Sequence, residues 1–131
     1  MKILIAEDDF TSRLLMQEYL KSFGLARIAV NGREAVEVFR EALETGQPYD
    51  LVCLDIMMPG MDGQQALREI RSMEKLKGIS STKGAKIVMT SALDDIQDKI
   101  KAFSGLCDDY LMKPIDKGRL LIVIRDMKLI P

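Results

Sequence analysis

The sequence predicts an α/β domain: a doubly wound, five-stranded parallel sheet with helices on both faces. Two observations predict it. Short apolar runs alternate five times with segments whose apolar residues recur at helical spacing. The apolar runs also lack the in-out alternation of a half-exposed strand, as in Leu51-Val52-Cys53-Leu54, which suits parallel strands covered on both sides.

The first strand is Ile3-Leu4-Ile5-Ala6, stopped by Glu7-Asp8-Asp9. A helix follows from about Thr11, with Met16, Leu20 and Phe23 on one face and Gly24 ending it. The second strand is expected over residues 26–30. Asn31-Gly32 could mark a hairpin, but Ala35, Val38, Phe39 and Ala42 then recur at helical spacing, so a helix is the better reading. The third strand runs from Leu51 into Asp55, and Pro59-Gly60 breaks the chain before a helix from about Gly63 that carries Ala66, Ile70 and Met73. A polar loop over residues 78–84 leads to the fourth strand, Lys86-Ile87-Val88-Met89. The fourth helix places Ile96, Ile100 and Phe103 on one face, and a short fifth strand covers residues 110–112 before Lys113-Pro114. By period alone residues 120–124 could be a strand. Their place after a fifth strand, with Leu120, Ile124 and Met127 at helical spacing, predicts a helix.

Composition bounds the chemistry. The chain has 131 residues, 47% apolar and 30% charged, enough for one core, and is expected to be a single domain over residues 1–131 without an output domain. No apolar run approaches the roughly 20 residues of a membrane span, and the start lacks a signal-peptide pattern, so a cytoplasmic protein is expected. With 19 basic against 20 acidic residues and a net charge of −1, nothing points to nucleic acid. Cys53 lies in an apolar run and Cys107 in a loop-like stretch; both are read as buried or incidental thiols. There is no histidine. That removes Ser-His-Asp catalysis, most zinc sites and any phosphohistidine on the chain itself.

The remaining polar residues fall at strand ends. Glu7 and Asp8 follow the first strand, Asp55 ends the third, Ser91 follows the fourth and Lys113 the fifth. Ligands of open α/β sheets bind at the carboxyl ends of strands. Each residue alone would be an ordinary cap or turn; together they make a site. If the first and third strands are neighbours, Glu7, Asp8 and Asp55 converge, and three such carboxylates must keep a proton or hold a cation. Oxygen donors around a phosphate-handling pocket favour Mg2+, Lys113 supplies a fixed positive charge, and Ser91 a hydroxyl.

These residues resemble the response-regulator receiver domains, the CheY-like family of two-component signalling. The resemblance rests on Ile3-Leu4-Ile5-Ala6-Glu7-Asp8-Asp9, on Leu54-Asp55-Ile56-Met57-Met58-Pro59-Gly60-Met61-Asp62-Gly63, on Met89-Thr90-Ser91-Ala92 and on Asp109-Tyr110-Leu111-Met112-Lys113-Pro114. It implies a flavodoxin-like (βα)5 fold with strand order 2-1-3-4-5, Asp55 as phosphoacceptor, and Mg2+ held by Glu7, Asp8, Asp55 and the backbone carbonyl of Met57. It further implies Lys113 as the phosphate-binding cation, Ser91 as switch hydroxyl, Tyr110 as the aromatic that turns inward, and a cis bond before Pro114. Met57 and Leu93 stand at the positions that tune phosphoryl lifetime in such domains. A histidine kinase or histidine phosphotransfer protein is the implied donor. Output to a downstream protein target, or a homodimer, would use the face of the fourth helix, fifth strand and last helix. Such a chain is a signalling phosphoacceptor, not an enzyme in the ordinary sense. Departures are Leu106-Cys107 in place of the usual Gly-Ala, and longer stretches near residues 44–47 and 73–85, expected to be surface insertions.

Three other readings are weaker. A haloacid-dehalogenase-type phosphatase wants a second acid two residues after the nucleophile, where Met57 stands. A mononucleotide binder needs a Ser-, Thr- or Gly-rich loop where Glu7-Asp8-Asp9 would repel phosphate. A pseudo-receiver would not be expected to keep every one of the polar residues above.

Overall fold

The computed structural model describes residues 1–80, 82–92 and 106–131. Its elements are β1 (Lys2–Ala6), α1 (Phe10–Leu20), β2 (Leu25–Ala29), α2 (Gly32–Glu44), β3 (Leu51–Asp55), α3 (Gly63–Leu76), β4 (Lys86–Ser91), β5 (Asp109–Met112) and α4 (Lys117–Asp126). The predicted helix with Ile96, Ile100 and Phe103 lies outside the described residues, as does Leu93. All five strands are parallel, in the order β2-β1-β3-β4-β5, so the doubly wound α/β reading holds.

Period-two alternation divides the strands between two cores. Leu4, Ala6, Val52, Leu54, Ile87 and Met89 face α2 and α3, meeting Val36, Phe39, Leu67 and Ile70. Ile3, Ile5, Leu51, Cys53, Val88 and Leu111 face α1 and α4, meeting Met16, Leu20, Leu120 and Ile124. Central strands covered on both faces can afford no polar position until their ends, which is why β1 and β3 read as unbroken apolar runs.

The helices start where side chains cap them. Asp9, Asn31, Asp62 and Asp116 each accept a bond from the backbone N–H three residues on. Asn31 thus opens α2 and settles the hairpin alternative. Residues 120–124 are helical, with Leu120 and Ile124 buried. Several boundaries differ from the sequence expectation by a few residues at most. Strand β2 sits one residue earlier and leaves Val30 exposed. Strand β4 runs on through Ser91. Phe23 lies beyond the end of α1, yet still packs against the second core. Among the described residues, no helix is long and apolar enough to cross a membrane.

Candidate functional site

Adjacency of β1 and β3 brings the acidic residues together. Glu7 leaves β1 with its N–H bonded to Ala29 O at 3.0 Å, and its side chain turns into the sheet's carboxyl edge, where only 3% of the residue is exposed. Asp55, the last residue of β3, is equally buried at 3%. Asp8 is exposed beside them. One carboxylate oxygen from each of Glu7, Asp8 and Asp55 lies within 4.8 Å of the others. Asp9 stands apart from this group because its carboxylate caps α1 through the Ser12 N–H at 2.8 Å. That bond, with the nearby charges of Lys113 and Arg13, holds its carboxyl below the ordinary range.

Strand β5 delivers the cation. The Lys113 backbone N–H bonds Ser91 O at 2.7 Å, and the Lys113–Pro114 bond is cis, as the resemblance implies. The Lys113 ammonium stands 2.5 Å from Glu7 Oε1 and 3.1 Å from Asp55 Oδ2. Burial pulls the lysine's pKa down, but the Glu7 hydrogen bond and the Asp55 and Glu7 charges outweigh it, and the net direction is up. Glu7 is also raised: burial dominates, Asp55 adds to it, and Lys113 only partly offsets both. Two carboxylates thus share one ammonium in a half-dry pocket, an arrangement that favours a further cation.

Met57, Ser91 and Tyr110, also expected at the site, lie just beyond β3, at the end of β4 and on β5. The Met57 N–H bonds Asp55 Oδ1 at 3.2 Å, while its side chain is exposed. Ser91 is buried at the end of β4, paired in register with Met112. Tyr110 is 43% exposed on β5. Gly63 lets α3 begin hard against β3, since a Cβ there would sit 2.2 Å from Asp55 O. The structure therefore gathers Glu7, Asp8, Asp55 and Lys113 into one contact group and sets Ser91 at the adjoining strand end.

The comparisons with known proteins agree with this geometry. A sequence profile described as response regulator receiver domain matches residues 3–125. The chain belongs to the response regulator receiver family. This receiver is 37% identical over 127 residues to hybrid signal transduction histidine kinase B of Dictyostelium discoideum, covering 92% of the chain but 6% of that relative's length. Among solved structures it is similar to the receiver domain of the histidine kinase CKI1 from Arabidopsis thaliana, complexed with Mg2+ and BeF3-. The TM-score is 0.79 at 29% identity, over 97% of this chain and 89% of that one. It is also similar to a chain in the complex of the Saccharomyces cerevisiae phosphotransfer protein Ypd1 with the receiver domain of Ssk1 (TM-score 0.75, 31% identity, 92% and 83% covered). The chain is thus a receiver domain of two-component signalling.

One group of charged residues was missed at the sequence level. Glu74 and Ala85, in the stretch expected to be a surface insertion, are buried, and Glu74 joins Arg71 and Asp108 in an ion-paired network. A signal was available: Glu74 continues the apolar stripe of Leu67 and Ile70 on α3, where a solvated acid does not belong.

Proposed function

We propose that this receiver accepts a phosphoryl group on Asp55 from a phosphohistidine protein, in a reaction that needs Mg2+. The observation that carries the reading is the buried Asp55 carboxylate, 3.1 Å from the Lys113 ammonium and grouped with Glu7 and Asp8. One Asp55 oxygen attacks phosphorus, the phosphorus–nitrogen bond of the donor breaks, and the imidazole leaves with that electron pair and takes a proton. The product is an acyl phosphate.

The donor set fits the ion. Glu7, Asp8 and Asp55 supply hard carboxylate oxygens, and the Met57 carbonyl is the fourth candidate. When bound, Mg2+ offsets negative charge on the phosphoryl oxygens. Lys113 holds the arriving oxygens from the β5 side, and Ser91 donates its hydroxyl to one of them. As Ser91 is drawn toward the phosphate, Tyr110 turns from its exposed position inward. Exposed Phe10 and Leu14 on α1 and Met57 beyond β3 give a protein donor an apolar footing around the acids. The outgoing signal is read on β5 and α4, where Tyr110, Met112 and Ile122 are exposed, by a downstream protein or a second copy of the chain.

Intact mass spectrometry after incubation with acetyl phosphate and Mg2+ tests the reading. One added phosphoryl group is expected on the wild type and none on Asp55→Asn. Equal labelling of the two would reject Asp55.

A further inference from the structure

At the opposite, amino end of the strands lies the second charged cluster. The side chains of Arg71 and Glu74 are 11% and 4% exposed. Glu74 Oε1 takes a bond from Arg71 Nη1 at 2.7 Å, and Oε2 takes the Ala85 N–H at 2.7 Å. The rest of the guanidinium reaches off its own helix: Nη1 to Ala85 O at 2.8 Å, Nε to Leu106 O at 2.7 Å, and Nη2 to Asp108 Oδ2 at 3.0 Å. Asp108 Oδ2 also accepts the Ile87 N–H at 2.7 Å, and the Asp108 N–H donates to Ile87 O at 2.9 Å.

Burying such a cluster is a poor route to stability, because an apolar replacement of the same shape is often as good or better. What the fork of Arg71 supplies is definition, through several donors in one rigid plane. The piece it defines has little definition of its own. Strand β5 is an edge strand of four residues, with Leu111 its one buried side chain. A slip of one residue would turn Leu111 out and reverse every side chain that follows. Lys113 comes immediately after, and its ammonium must stand between Glu7 and Asp55.

We propose that Arg71 is a positioning residue for Lys113: by clamping Leu106 and Asp108 to α3, it fixes the register of β5 on β4 and so the place of the Lys113 ammonium beside Asp55. This rests on the phosphoacceptor reading of the site.

The test is a double-mutant cycle on the rate of labelling by acetyl phosphate. Arg71→Met is made in the wild type and in Lys113→Ala, with circular dichroism confirming the fold; Asp108→Asn, which keeps an acceptor for the Ile87 N–H, takes its place if Arg71→Met does not fold. With Lys113 present the rate should fall about tenfold, inside the roughly 100-fold that a 1 Å misplacement can cost. In Lys113→Ala the same substitution should leave the rate unchanged. An equal fall in both backgrounds, or no fall in either, overturns the proposal. If Lys113→Ala takes too little label to time, the Lys113 ammonium resonance decides: a shift on Arg71→Met supports the clamp, and an unmoved signal overturns it. A wild type that takes no label at all overturns the phosphoacceptor reading, and the clamp's role with it.

Discussion

The two ends of the sheet each gather carboxylates around a largely buried cation, Arg71 at one and Lys113 at the other, yet they are built to opposite ends. At the amino end, Glu74 and Asp108 are each bonded by a backbone N–H as well as by Arg71, and a planar fork holds the pieces in one arrangement. At the carboxyl end, Glu7 and Asp55 share a single flexible ammonium, and each takes one longer bond from the backbone, Glu7 from the Asp9 N–H at 3.1 Å and Asp55 from the Met57 N–H at 3.2 Å. The first group is closed; the second keeps acceptor capacity and excess negative charge. Charge count alone does not separate a structural cluster from a reactive one. The form of the cation does: Arg71 spreads its donors over a rigid fork, whereas Lys113 is one ammonium on a flexible stem.

Removing a carboxylate should therefore have opposite effects at the two ends. Glu74→Ala leaves Arg71 partly unpaired and the Ala85 N–H bare, and should cost about 3 kcal/mol, at the low end for breaking a buried pair; denaturant melts would show it as a large drop in midpoint. Less than about 1 kcal/mol would mean that the amino-end cluster is not closed after all. The next effect is kinetic. Exposed Met57 cannot hydrogen-bond a water attacking the phosphoryl group, so Met57→Asn with Leu93→Glu should shorten the phosphoryl lifetime about tenfold, or roughly 1.4 kcal/mol in the barrier. Phosphate release from the purified phosphoprotein measures it, and equal rates would remove both positions from the control of hydrolysis. Smaller still, Asp55→Asn relieves repulsion between like charges and should raise stability by about 1 kcal/mol, as expected for charges a few ångströms apart in a partly wet site. A loss of more than about 1 kcal/mol would make Asp55 structural, like Glu74.

The smallest expected effect is none. Cys53, on β3 between the two ends, is fully buried, and burial pushes its thiol up to about 12. Alkylation of the native protein should spare it from pH 7 to pH 9 and reach it only on unfolding. Modification of Cys53 in a folded Asp55→Asn or Arg71→Met protein would show that a change at one end opens the middle of the sheet.

Most of the carboxyl end was legible in the sequence because its residues sit where apolar runs stop. Glu7, Asp55 and Lys113 each terminate a strand, and a doubly wound sheet lines up such termini whatever the helices do. The amino-end cluster was not read because its bonds off α3 join residues 11 to 37 positions apart, and Arg71 with Glu74 looks like any solvated helical pair at i, i+3. Strand limits slipped by one or two residues where, as at Val30 and Thr90-Ser91, side-chain type does not mark the end of backbone pairing.

Helix α3 touches both ends. Its first residue, Gly63, donates its N–H to Ile56 O at 2.9 Å, directly behind the acid. Some two turns on, Arg71 and Glu74 strap it to the starts of β4 and β5. A helix of 14 residues spans about 21 Å, so α3 is a strut fixed at two points along the height of the sheet. A stiff member held that way does not absorb a push at one support by bending. It tilts, and whatever displaces the backbone behind Asp55 is delivered, as leverage, to the root of β5.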